Sequence, residues 1–141
     1  MALDYFTWTG SPEYLPLAYS VADFWSQHFT NRSADGRVIV WPAQVLETYW
    51  CTYNPGTNQS AGWFSNCCED DAPTVTGMHS LFERLLALPP ALTTPQQRAA
   101  WAAFVAIMPL VPVANNTILP ARVLSEGTHN SEGPELYAAH P

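Results

Sequence analysis

The stretch from Asp71 to Pro112 constrains this chain more than any other. It holds two amphipathic segments joined by a connection of about five residues, and so short a link makes two helices lie antiparallel as an αα-hairpin. The first segment follows Asp71, whose carboxylate is placed to accept from the open N–H groups of a helix start. Val75, Met78, Phe82, Leu85 and Leu86 then recur as a buried stripe, and Pro89-Pro90 ends the run. The second segment has the clearest start signal in the chain. Thr94 caps, Pro95 takes the first turn, and Gln97 completes a T-x-x-Q capping box. Trp101, Val105 and Met108 share its inner face, and Pro109 and Pro112 close it.

Upstream, the spacing of Leu17, Val21, Phe24, Trp25 and His28 predicts a further helix from about Pro12 to Phe29. Ser11 is its expected N-cap, with Pro12 at the first helical position. Asn31 to Gly36 (NRSADG) reads as a turn, and Arg37 to Trp41 (RVIVW) as a short β-branched strand stopped by Pro42. Trp41 to Tyr53 is apolar around one carboxylate, Glu47. Asn54 to Asn66 is expected to be a polar loop, and at about thirteen residues it exceeds the usual connection. Thr117 to Leu124 reads as extended and leads into the terminal segment NSEGPELYAAHP, Asn130 to Pro141. The expected fold is therefore mainly α, helical hairpins with short strands and extended loops. Three helices with one apolar face each do not close a large core, so they read as units of something that continues.

Charge excludes several functions. Twelve acidic residues stand against five basic ones, all arginine, for a net charge of −7. Nothing here could neutralise a phosphate backbone or an anionic membrane surface, so neither nucleic acid nor membrane is an expected partner. No run of eighteen apolar residues is present to span a bilayer. Met1 to Gly10 lacks the basic and apolar regions of a signal peptide. The sequons at Asn31, Asn58 and Asn115 are nonetheless compatible with a secreted or endomembrane parent. Cys51, Cys67 and Cys68 allow at most one ordinary disulfide, from Cys51 to one of the adjacent pair. They lack the paired spacing of a zinc site, so no metal or other cofactor is expected.

Four features could carry chemistry. Glu47 lies among Val45, Leu46, Tyr49 and Trp50, where desolvation would raise its pKa and suit a general acid; the alternative is a salt-bridged carboxylate beside the core. Glu132 and Glu135 flank Gly133-Pro134 in a sharply bending loop, as displayed catalytic groups or as a solvated acidic turn. Trp41, Tyr49, Trp50, Tyr53, Trp63, Phe64 and Tyr137 offer flat faces on which sugar rings stack, or ordinary core filling. In CCEDD the acids precede a helix, and capping is the expected role of Asp71.

Four blocks in order resemble the six-hairpin, (α/α)6-toroid glycoside hydrolases and their relatives. They are VIVWPAQVLETYW, then TGMHSLFERLLALPPALTTPQQRAAWAAFVAIMPLVPV, then ILPARVL, then NSEGPELYAAHP. In that family a P-x-Q-x-L-E-T segment follows a strand, a leucine-rich helix ends in LL-x-LP, and a T-x-x-Q-R-x-x-W helix leads to a PELY-containing loop. The likeness spans roughly Tyr14 to Pro141. The chain departs from the pattern in the NQSAGWFSNCCEDD stretch, at Gly133 and at His140, and it holds only about two of six hairpins. The resemblance implies an incomplete toroid over residues 1–141, acting with the remainder of a parent domain on an oligo- or polysaccharide. Glycosidic hydrolysis needs an acid and a base, about 5–5.5 Å apart in retaining enzymes and about 6.5–9.5 Å in inverting ones. The resemblance ranks Glu47 first, Glu132 second and Glu135 third as pocket carboxylates. It makes Trp41, Gln44, Trp50, Trp63, Asn130 and Tyr137 the expected substrate contacts. The competing reading is a non-catalytic carbohydrate-binding or structural helical remnant, inactive in isolation.

Overall fold

The computed structural model describes residues 1–43, 52–56, 62–65 and 67–124. Within them the chain is roughly half helical, with four α-helices: α1 (Ala2–Thr9), α2 (Leu15–His28), α3 (Ala72–Leu86) and α4 (Pro95–Val105). Six short strands pair as three antiparallel ribbons: β1 (Thr52–Asn54) with β2 (Trp63–Ser65), β3 (Glu69–Asp71) with β6 (Ala121–Val123), and β4 (Val113–Ala114) with β5 (Thr117–Ile118).

The two expected helices are present as α3 and α4 and pack against each other, and their ends are set by local chemistry. Asp71 caps α3 by accepting from the Thr74 N–H at 3.0 Å. Thr94 accepts from the Gln97 N–H at 3.1 Å while the Gln97 side chain accepts from the Thr94 N–H at 2.8 Å, so the capping box closes both ways. Arg98 on α4 reaches back to donate to the Leu86 carbonyl at 2.7 Å and the Leu88 carbonyl at 3.2 Å, satisfying orphan acceptors at the end of α3. Val75, Met78, Phe82 and Leu85 are buried as the stripe requires, and Trp101, Phe104 and Met108 meet them from the other side. Burying one such side chain contributes about 1.5–3 kcal/mol, so this layer is the main store of stability.

Helix α2 starts later than expected and turns a different face inward. Its N-cap is Tyr14, with no side-chain cap bond, and Pro16 lies in its first turn. Ser11 instead gives its N–H to Thr9 Oγ1, just past the left-handed Gly10 that ends α1. Helix α1 was not expected from the sequence. Of the large apolar residues that marked α2, Trp25 packs against the core but Leu17, Val21 and Phe24 point outward, Leu17 being 62% and Phe24 52% exposed, whereas Ala22 is 0% exposed and Leu15 and Ala18 are buried. The reason is proximity: α2 packs against α3, and small side chains let two backbones approach closely. Tyr19 extends the contact by donating to the Leu92 carbonyl at 2.7 Å.

Two extended regions also differ from expectation. Val38 and Val40 are buried, but RVIVW forms only a single antiparallel bridge, Val38 opposite Arg32. The Val38 N–H bonds the Ile107 carbonyl at 2.7 Å, and the segment continues to a cis Trp41–Pro42 peptide. The expected loop from Asn54 to Asn66 instead contributes to a hairpin, with Asn54 opposite Trp63 and Thr52 opposite Ser65.

Candidate functional site

The densest polar arrangement among the described residues is centred on Asp70. This residue adopts a left-handed backbone (φ 51°) between two strand neighbours and is almost fully buried. Asp tolerates that conformation better than most side chains. Its Oδ1 accepts from the Val40 N–H at 2.7 Å, and its own N–H donates to the Val40 carbonyl at 3.0 Å. Its Oδ2 accepts from Arg122 Nε at 2.6 Å, while Arg122 Nη2 donates to Glu69 at 2.6 Å. The β3–β6 register, Glu69 opposite Val123 and Asp71 opposite Ala121, brings the guanidinium to both acids. The hydrogen bond to Asp70 raises the Arg122 pKa, with both carboxylates adding charge attraction.

A cleft of about 590 Å³ opens beside this knot. One wall is ionic: Ser33, Asp35, Arg37, Asp70 and Arg122. The other is apolar, running from Pro109 to Val113 with Leu119. Arg37 donates to the Met108 carbonyl at 2.8 Å and pairs with Asp35 at 3.4 Å. The Ser33 hydroxyl donates to Asp35, holding that exposed carboxyl below its usual range. Both oxygens of Asp70 are already committed, and the Asp35 carboxylate is held ionised. Neither is set up to give a proton to a leaving group. Among the described residues, no aromatic ring lines the cleft, so none of them offers a stacking face for a sugar there.

Among the described residues, the carboxyl with a raised pKa is Asp71, and burial is the main cause. Its Oδ1 has no hydrogen-bond partner, and the residue serves the α3 cap rather than the cleft. Capping, the expected role, is the observed one.

Most of the expected site lies outside the described residues: Gln44, Glu47, Trp50, Asn130, Glu132, Glu135 and Tyr137. Trp41 is described, partly exposed at the cis bond before Pro42. Trp63 is placed through its backbone, opposite Asn54 in β2. Cys67 is disulfide-bonded, Cys68 is a buried thiol, and Cys51 lies outside the described residues. No group of three or more His, Cys, Asp or Glu able to hold a metal ion occurs among the described residues. None of their helices is long and apolar enough to cross a membrane.

Sequence reasoning missed the Asp70–Arg122 pair. The only available signal was that two acids beside a buried helix start need a partner, in a chain with five basic residues. Comparison with protein-family models, curated proteins and solved structures finds no match.

Proposed function

We propose that the chain is part of a six-hairpin, (α/α)6-toroid domain of a carbohydrate-active glycoside hydrolase. The observation that carries this reading is the ordered series of four sequence blocks, with P-A-Q-V-L-E-T before the hairpin and P-E-L-Y after it. Two structural features support it. Helices α3 and α4 follow each other across a short connection and are packed together, as the paired helices of such a toroid would be, with α2 against α3. Tyr5, Trp8, Tyr14, Leu17, Val21 and Phe24 expose apolar surface along α1 and α2, which a neighbouring hairpin of the parent domain would cover.

In this reading Glu47 and one of Glu132 or Glu135 supply the acid and base, and Trp41, Gln44, Trp50, Trp63, Asn130 and Tyr137 hold the glycan. The Asp70 knot acts as a brace that sets where the segment leading to Glu47 departs. The test is sugar release by the parent protein from a panel of oligo- and polysaccharides, with Glu47→Gln, Glu132→Gln and Glu135→Gln compared. Loss of a general acid or base should lower the rate about 10²–10⁴-fold. Full activity in all three variants would remove the assignment.

A second reading, a non-catalytic carbohydrate-binding or structural helical module, is favoured by one observation. The cleft among the described residues has committed carboxylates and no aromatic wall. It predicts no sugar release from any member of the panel.

A further inference from the structure

We propose that Asn115 is an N-glycan acceptor and that the β4–β5 hairpin tip displays it. Two sequons fall wholly on described residues, Asn31-Arg32-Ser33 and Asn115-Asn116-Thr117, and the fold treats them differently. At the first, the hydroxyl at the third position is tied into a turn. The Ser33 hydroxyl donates to Asp35, with the Arg37 carbonyl 3.1 Å away as its alternative acceptor, and accepts from the Arg37 N–H at 3.1 Å. The Asn31 carbonyl accepts from the Ile39 N–H at 3.0 Å.

The second sequon sits at the tip of a hairpin. Ala114 pairs with Thr117, so Asn115 and Asn116 form a two-residue turn with φ of 50° and 59°. Positive φ at both positions defines the type I′ turn, which Asn adopts readily. Asn115, Asn116 and Thr117 are all exposed. Among the described residues, neither the Asn115 carboxamide nor the Thr117 hydroxyl is engaged in a hydrogen bond, so both groups that define the sequon are presented together.

Two further observations bear on this site. The disulfide at Cys67 fits an oxidising compartment, the setting in which N-glycans are attached. Leu110, Val113 and Ile118 expose apolar surface on and beside the hairpin, which a bulky polar glycan would screen. In the transfer, Asn115 Nδ2 bonds to the anomeric carbon of a lipid-linked oligosaccharyl diphosphate. The carbon–oxygen bond to the diphosphate breaks, the lipid diphosphate leaves with that electron pair, and one Nδ2 proton passes to a base of the host transferase. The inference does not rest on the hydrolase reading, and either can fail alone.

The experiment sends the full chain through a eukaryotic secretory pathway with a cleavable leader. The total pool of leader-processed chain, folded or not, is treated with a glycan-releasing amidase in heavy-oxygen water. Each formerly glycosylated Asn becomes labelled Asp, read by peptide mass. The expected result is label at Asn115 above that at Asn31, kept in Thr117→Ser and lost from Asn115 alone in Thr117→Ala. Unlabelled Asn115, or label there no greater than at Asn31, overturns the proposal.

Discussion

Asp70 and Asp71 are neighbours with opposite solutions to burial. Asp70 meets a guanidinium and a backbone N–H; Asp71 has one cap bond and one unpartnered oxygen. The Asp71 pKa is raised in the folded state, mainly by burial, above the ordinary 3.8. The native state therefore binds its proton more tightly than the unfolded chain. The stability this contributes is complete below pH 3.8 and is lost as pH rises through the higher folded pKa. Asp71→Asn keeps a capping acceptor but cannot ionise. Thermal melts should show wild type losing stability relative to Asp71→Asn as pH climbs through that window, whereas Asp71→Ala should cost about 0.5–2 kcal/mol through the lost cap. A constant gap between wild type and Asp71→Asn across the window would refute this. For Asp70, removing the partner by Arg122→Ala leaves a buried charge short of a bond and should cost about 1–3 kcal/mol in denaturant unfolding. A change within about 0.5 kcal/mol, as at an ordinary surface site, would mean that solvent replaces the bond. The cap was legible in the sequence because it spans four residues. The ion pair was not, because Asp70 and Arg122 are 52 residues apart and meet only through the β3–β6 ribbon.

At the scale of elements, explicit end signals made α3 and α4 legible: an Asp cap, a capping box and flanking prolines. Helix α2 shows where such reading stops. Its large residues recur at helical spacing, so the helix was recognisable, but its packing face was not. Leu15, Ala18 and Ala22 recur at helical spacing too, and which set lies inward depends on how closely α3 approaches. The strand expected at RVIVW is reduced to one antiparallel bridge, Val38 to Arg32, for a related reason: the Val38 N–H turns to the Ile107 carbonyl beyond α4, and Val40 bonds Asp70 of β3. The packing of α2 yields a paired prediction. Ala22→Leu should destabilise by about 1–3 kcal/mol through overpacking. Leu17→Glu, on the exposed face, should stay within about 0.5 kcal/mol. Denaturant unfolding of the two variants separates the observed face from the one expected from sequence, which predicts the reverse order.

At the scale of the whole molecule, a compact α2–α3–α4 layer is braced by the Asp70 knot, and apolar surface remains exposed on α1, α2 and the β4–β5 hairpin. The candidate site was legible only as residue types in family-like blocks, and most of those residues lie outside the described ones. The central proposal is that the chemistry belongs to the Glu47 and Glu132–Glu135 segments and that the Asp70 cleft is structural. The direct measurement is glycan hydrolysis by the parent protein, with Glu47→Gln and Asp70→Asn assayed side by side for rate and melting temperature. The account predicts that Glu47→Gln lowers the rate at least about 100-fold with its melting temperature unchanged. Asp70→Asn should mainly lower the melting temperature. Full hydrolysis by Glu47→Gln, together with loss of rate but not of stability in Asp70→Asn, would contradict it.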